Sequence, residues 1–132
     1  MKFLILAAED DAAFEARDDT ERSAEYWASW SGYLAALAEA GILDGAGGLQ
    51  PPWTATTLRV REGKRLVQDG PYADTKEQLG GYFVIEVPDI DTALVWAERC
   101  PSAGYASVEV RPLLLRVVPL LTDLMKPAPR FL

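Results

Sequence analysis

Residues 2–8 form a continuous apolar run, the pattern of a central strand buried on both faces. Glu9 to Glu21 is acidic and reads as a solvated loop. From Thr20 onward, Trp27, Trp30, Leu34 and Leu37 recur at helical spacing, which predicts a helix with one apolar stripe that stops at Gly41. Ile42 to Pro52 carries Gly45, Gly47, Gly48, Pro51 and Pro52, which predicts an irregular crossing with at most a short strand. Thr54 to Val60 is β-branched and alternating. Arg61-Glu62-Gly63-Lys64 is a tight turn, and Arg65 to Asp69 returns as a hairpin partner. Thr75 and Gln78 then match a capping box, with Asp74 where a helix start favours negative charge. That predicts a short helical turn, ended by Gly80-Gly81, before a strand from Phe83 to Val87. Asp89 is placed to cap a second long helix with Ile90, Ala93, Leu94 and Ala97 inward and Pro101 at its close. In the last predicted strand Val108 and Val110 alternate with Ser107, Glu109 and Arg111.

The order strand, helix, hairpin, strand, helix, strand predicts an α+β sandwich, with helices on one face of a mostly antiparallel sheet. Two helices cover one sheet face, so the other keeps apolar side chains of the first and fourth strands in the open. Such a face invites a second copy, giving a symmetric dimer with a cavity between the sheets. The domain is expected over residues 1–112. Residues 113–132, rich in Leu, Val, Met and Phe, are expected to pack on their own or the partner protomer as an apolar extension.

At 132 residues, with 49% apolar and 25% charged side chains, the chain suits one globular domain with its own core. No apolar run approaches the ~18 residues of a membrane span. The short apolar start runs straight into Glu9-Asp10-Asp11, so it reads as a strand rather than a leader, and a cytoplasmic location is expected. The single cysteine, Cys100, excludes an internal disulfide framework and reads as a packed thiol. The chain has no histidine, which removes Ser–His and Cys–His nucleophiles and the usual neutral-pH base. Proton transfer falls to Asp, Glu, Lys, Tyr or water. A net charge of −7 argues against nucleic acid. The acidic run lacks the spacing of a calcium loop, and Gly80-Gly81 lacks that of a phosphate loop, so neither a metal nor another cofactor is expected.

The candidate chemistry lies in Asp69-Gly70-Pro71-Tyr72 and the residues that follow. Asp69 ends a strand at a turn, where a carboxylate can face a cavity and act as acid or base. It can equally cap the Gly70-Pro71 turn. Alternation places Tyr82 with Glu86 and opposite Phe83, Ile85 and Val87. If the latter meet the helices, Tyr82 and Glu86 face the dimer cavity. Arg59 and Glu86, with Glu109 and Arg111, are candidates for that cavity or for cross-strand ion pairs. Tyr72 and Lys76 join Tyr82, Glu86 and Arg59 as candidate ligand contacts, Lys76 for an anionic group. Trp27, Trp30 and Trp53 read first as core or interface residues and second as stacking platforms.

The run from Asp69 to Tyr82 resembles the DGPF proteins of the YCII-related family. Gly47-Gly48-Leu49-Gln50-Pro51-Pro52, Thr54-Ala55-Thr56-Thr57 and Val108-Glu109-Val110-Arg111-Pro112 match in the same order. The resemblance implies a ferredoxin-like fold that dimerises as an α/β barrel. It also implies relatives proposed as enzymes with an Asp–His pair, among them a dehydrochlorinase of a chlorinated hydroxyquinone, and some relatives associated with extracytoplasmic-function sigma factors. Trp30 stands where the family's histidine belongs, so the Asp–His pair is not carried over. Two readings follow. One is a cofactor-independent lyase or isomerase using Asp69 on a small molecule in the dimer cavity. The other is a non-catalytic ligand-binding or regulatory module associated with a sigma factor.

Overall fold

A computed structural model describes residues 1–114. β1 (Lys2–Asp10) is followed by α1 (Asp11–Ala16), α2 (Ser23–Glu39) and β2 (Leu43–Gly48). The hairpin strands β3 (Thr56–Arg61) and β4 (Lys64–Asp69) come next. β5 (Glu77–Glu86), α3 (Ile90–Glu98) and β6 (Ser107–Pro112) complete the described chain. β2, β5, β1 and β6 lie side by side in that order, every neighbouring pair antiparallel, while β3 and β4 form a separate two-stranded ribbon. Without the ribbon this is the βαββαβ, ferredoxin-like order.

The expected α+β architecture is present, with α2 and α3 on one face of the sheet. Phe3, Ile5 and Ala7 of β1 and Phe83, Ile85 and Val87 of the β5 region meet Tyr33, Leu37 and Ala93 of the helices there. Leu4, Leu6 and Ala8 point to the other face, where they are half-buried. Hence β1 alternates between a helix-covered and an open face instead of being buried on both. The expected association of two copies through the open face is taken up below. Residues 115–132, most of the expected extension, lie outside the described residues.

Several local expectations are corrected. The acidic segment contains a helix, α1, because Asp10 caps it by accepting from the Ala13 amide at 2.9 Å and because Ala13, Phe14 and Ala16 reach the core. The inner stripe of α2 runs through Trp30, Tyr33 and Leu37, while Trp27 and Leu34 are 48% and 39% exposed. In α3, Ala93 and Ala97 are buried and Ile90 and Leu94 are exposed. Small residues bring this helix close to the sheet, and the larger ones stay at its rim. β2 is a full edge strand of six residues despite its glycines, because β5 supplies its ladder.

The predicted helical turn at Thr75–Gly81 is absent: Thr75 and Lys76 are irregular and β5 begins at Glu77. Thr75 and Gln78 use their side chains on Glu77 and Ala73 carbonyls rather than on a helix start. The register of β1 against β5 skips from Ala7–Gly81 to Ala8–Leu79, so Gly80 is an extra residue, a β-bulge. The hairpin is as expected, its turn at Glu62 and Gly63 with φ of 53° and 75°. Gly70, at φ 98°, closes its base: its amide donates to the Ala55 carbonyl at 2.7 Å, and its own carbonyl accepts from Thr57 Oγ1 at 2.8 Å.

Candidate functional site

On the helix-facing side of β1, Phe3, Ile5 and Ala7 are followed by Glu9, which is 1% exposed. The strand period thus places a carboxylate where its predecessors place apolar groups, and a charge so buried requires partners. Three elements supply them. Arg17, just after α1, donates from Nη2 to Glu9 Oε1 at 3.0 Å. Tyr26, on the first turns of α2, lies with its hydroxyl 2.8 and 2.7 Å from the two carboxylate oxygens. Tyr105, before β6, donates to Oε2 at 2.6 Å. Arg17 is itself spread over the cluster. Its Nε donates to the Tyr26 hydroxyl at 3.0 Å, its Nη1 to the Leu49 carbonyl and its Nη2 also to the Gly80 carbonyl at 3.3 Å. The guanidinium lies 4.9 Å from the Phe14 ring centre, and Trp27 Nε1 donates to the Arg17 carbonyl at 3.1 Å.

The bulge makes this possible. An added Cβ on Gly80 would lie 2.3 Å from Glu9 Oε1, so the carboxylate occupies the space a side chain would take. Burial, and then the hydrogen bond to Glu9, raise the Tyr26 hydroxyl to about 12 from its ordinary 10.0. Tyr105 is raised for the same two reasons. Burial works against the charge on Arg17, but its bonds to Tyr26 and Glu9 outweigh it and raise the guanidinium.

The linkage sign follows. A tyrosine raised in the folded state contributes stability that is fully present below its unfolded value near 10. That stability is lost as pH rises through about 12. Tyr26→Phe is therefore expected to lower stability at neutral pH and to flatten the alkaline loss. Urea unfolding midpoints at about pH 8 and about pH 11 check this; an unchanged alkaline slope would count against the Tyr26–Glu9 bond.

Beside the cluster, between the N-terminal half of α2 and the β2–β5 edge, lies a cavity of about 680 Å³. Trp27, Trp30, Leu34 and Phe83 form its apolar walls, and Glu9, Arg17 and Tyr26 its polar end. Trp30 stacks nearly parallel to Phe83, ring centres 6.1 Å apart and planes at 9°. Gly48 and Gly81 leave the edge-strand wall without side chains. The volume and mixture suit a small organic molecule held by aromatic faces with polar groups at one end.

Of the residues singled out in the sequence, Trp27 and Trp30, read there second as stacking platforms, line this cavity, whereas Asp69, Arg59, Tyr72, Lys76, Tyr82 and Glu86 do not. Asp69 is exposed at the end of β4, opposite Thr56, and among the described residues its carboxylate accepts no hydrogen bond. The turn it introduces is held by Gly70 and Thr57. Tyr72 is 83% exposed, Lys76 is exposed, and Arg59 is half-buried in the hairpin. Tyr82 lies on the open sheet face over Gly47, whose added Cβ would come within 2.6 Å of its ring. Glu86 is exposed on that face beside the Met1 nitrogen at 2.9 Å. Glu109 meets Arg111 along one strand at 3.5 Å rather than across strands. Cys100 is buried as expected, and burial raises its thiol.

Sequence reasoning missed Glu9, Arg17, Tyr26 and Tyr105. A signal existed for the first: continuing the two-residue period of Phe3, Ile5 and Ala7 puts Glu9 in the core. Arg17, the basic break in the acidic run, was a second. Nothing local points to Tyr105, which is 96 residues from Glu9.

A 79-residue stretch is 44% identical to an uncharacterised protein of Rhizobium meliloti (strain 1021), covering 58% of this chain and 64% of that relative. Among solved structures, the chain is similar to a 5-chloro-2-hydroxyhydroquinone dehydrochlorinase from Burkholderia phenoliruptrix AC1100, in complex with 2,5-dihydroxybenzoquinone. That likeness has a TM-score of 0.49 at 19% identity, over 86% of this chain and 94% of the other. A family model, the YCII-related domain, matches residues 1–115. With a match over that much of its length, the chain belongs to the YCII-related domain family.

Proposed function

We propose that this chain binds a small, aromatic-surfaced molecule in the cavity between α2 and the β2–β5 edge, with Tyr26 and Arg17 at its polar end. The observation that carries this is an aromatic-walled space of about 680 Å³ ending on the buried Glu9 carboxylate and the groups that hold it. In the catalytic form of this reading, the protein is a cofactor-independent lyase or isomerase. The Tyr26 hydroxyl takes a proton from the bound molecule as it passes its own to Glu9, so the proton count closes within the pair. Asp69 is left outside that relay, at the base of the hairpin.

Binding is testable with a panel of phenols, quinones and benzoates, read by quenching of tryptophan fluorescence. Gly48 faces the helix side of the sheet opposite Gly81, and a Cβ added there meets nothing within 4 Å. Gly48→Leu is thus expected to fill the cavity without strain and abolish quenching, whereas Asp69→Asn leaves it intact. Equal quenching in Gly48→Leu would place the ligand elsewhere, and loss in Asp69→Asn would restore that residue to the site. A ligand that binds and is never converted would favour the regulatory module, sigma-factor association included, over the enzyme.

Dimerisation as an α/β barrel belongs to the same proposal. Its support is the open sheet face, where Leu4, Leu6, Tyr82 and Val84 are half-buried and no helix among the described residues covers them.

A further inference from the structure

A buried guanidinium beside a cavity usually invites an anion, and Arg17 is the one basic residue lining this space. Its charge is already balanced, because the Glu9 carboxylate lies 3.0 Å from Nη2. Its donors are engaged as well. Of the five N–H groups of a guanidinium, that of Nε goes to the Tyr26 hydroxyl and one of Nη1 to the Leu49 carbonyl. The two of Nη2 go to Glu9 and to the Gly80 carbonyl. One Nη1 N–H is left. The only other charged residue of the lining is Asp18, which is exposed, while Ser31 and Gln50 are exposed and uncharged. Glu9, Arg17 and Asp18 together leave the cavity one negative charge, in a chain whose own net charge is −7. An anionic ligand group would meet two carboxylates and no free cation.

The groups left over have a pattern of their own. Tyr26 gives its one proton to Glu9 and accepts from Arg17 Nε at 3.0 Å, so one lone pair of its oxygen is free. That lone pair and the free Nη1 N–H belong to side chains already in contact. A ligand hydroxyl satisfies both, donating to the Tyr26 oxygen and accepting from Nη1. A carboxylate or a carbonyl can only accept, which sets its oxygen against the Tyr26 oxygen with no proton between them.

We propose that the polar end of this cavity selects a ligand whose flat apolar ring system carries an un-ionised hydroxyl, and that it rejects carboxylates. Tyr26 and Arg17 read the hydroxyl as acceptor and donor, and Glu9 and Asp18 repel the anion. This rests on the cavity reading above and deepens it, since the ligand proton is directed at the Tyr26 oxygen.

Titration calorimetry of the full chain with three probes that share one ring system tests this: naphthylmethanol, naphthyl methyl ketone and naphthoate. The alcohol is expected to bind most tightly, with the ketone and the carboxylate each weaker by at least about tenfold. In Tyr26→Phe, shown to be folded by circular dichroism, the accepting oxygen is gone while Arg17 remains, so the advantage of the alcohol over the ketone is expected to vanish. Asp18→Asn is expected to strengthen naphthoate binding by about two- to fivefold, the effect of removing one exposed charge. Naphthoate or the ketone binding the parent as tightly as the alcohol, and lost in Gly48→Leu, overturns the selectivity and leaves the cavity reading standing. A preference for the alcohol that survives in Tyr26→Phe overturns it too. If no probe binds, or if Gly48→Leu binds all three as the parent does, the cavity reading and the selectivity fall together. Should Tyr26→Phe not fold, the ranking of the three probes on the parent and on Gly48→Leu decides.

Discussion

Glu9→Ala is expected to lower the unfolding free energy by about 3–5 kcal/mol, the cost of breaking a buried ion pair from one side. For a domain of this size that corresponds to a fall in Tm of roughly 10–20 °C. The reason is the environment and not the pair alone. Glu9 is 1% exposed and the Arg17 side chain 11%, so removing the carboxylate strands a guanidinium away from water. Two tyrosine hydroxyls lose their acceptor at the same time. Glu9→Leu combined with Arg17→Met removes both charges and is expected to recover part of the loss, because apolar replacements of a whole buried pair are often neutral. Tyr105 is 43% exposed, so its hydroxyl can turn to water in that background. Chemical denaturation of the three proteins checks the order. A Glu9→Ala cost under about 1 kcal/mol would mean that water, and not Arg17, satisfies the site.

Gly80→Ala is expected to cost about 2–3 kcal/mol, against the gain of a few tenths that Gly→Ala brings through the unfolded chain. Its Cβ would sit 2.3 Å from Glu9 Oε1 and 3.1 Å from Glu9 Cγ and Cδ. A long side chain usually swings clear of such a clash. This one is held by Arg17, Tyr26 and Tyr105, so the methyl group must break the cluster or distort the bulge. The displacement has its own signature: with Glu9 withdrawn, the Tyr26 hydroxyl returns from about 12 toward its ordinary 10.0, seen in an ultraviolet titration. Gly48→Ala serves as the comparison, since a Cβ there meets nothing within 4 Å, and little change is expected. If the two glycine variants behave alike, the close approach of Glu9 to the β5 backbone is refuted.

Both results bear on why some of this fold was legible and some was not. The hairpin could be read because its signals are local: alternation on either side of a turn whose glycine takes a positive φ. The start of α3 could be read because Asp89 accepts from Thr92 only three residues away. The Thr75–Gly81 segment could not. Its capping-box spacing is a true local preference, but ten residues of ladder with β1 and β2 offer far more hydrogen bonds than one helical turn. Two glycines that resemble a helix stop serve instead to admit Glu9 and to let β2 approach, with an added Cβ on Gly81 reaching 3.1 Å from the Gly47 carbonyl. The α2 stripe was misphased for a related reason. Helical spacing fits either Trp27 and Leu34 or Tyr26 and Tyr33 beside Trp30 and Leu37. Phe83 and Glu9 choose the second set, through the 5.1 Å edge contact with Tyr33 and the bonds to Tyr26.

The run from Asp69 to Tyr82 carries the resemblance in the sequence, while the structure uses it to close the hairpin base and to carry the bulged strand. By itself the sequence determined the order of most elements, the helix-covered sheet and the open face opposite, because these depend on periodicity and composition within single segments. The location of the cavity and the identity of its polar end were decided only in three dimensions. Glu9, Arg17, Tyr26 and Tyr105 come from four separate segments and share no spacing rule. What unites them is the cost of burying one carboxylate, which is met wherever the fold can bring donors to it.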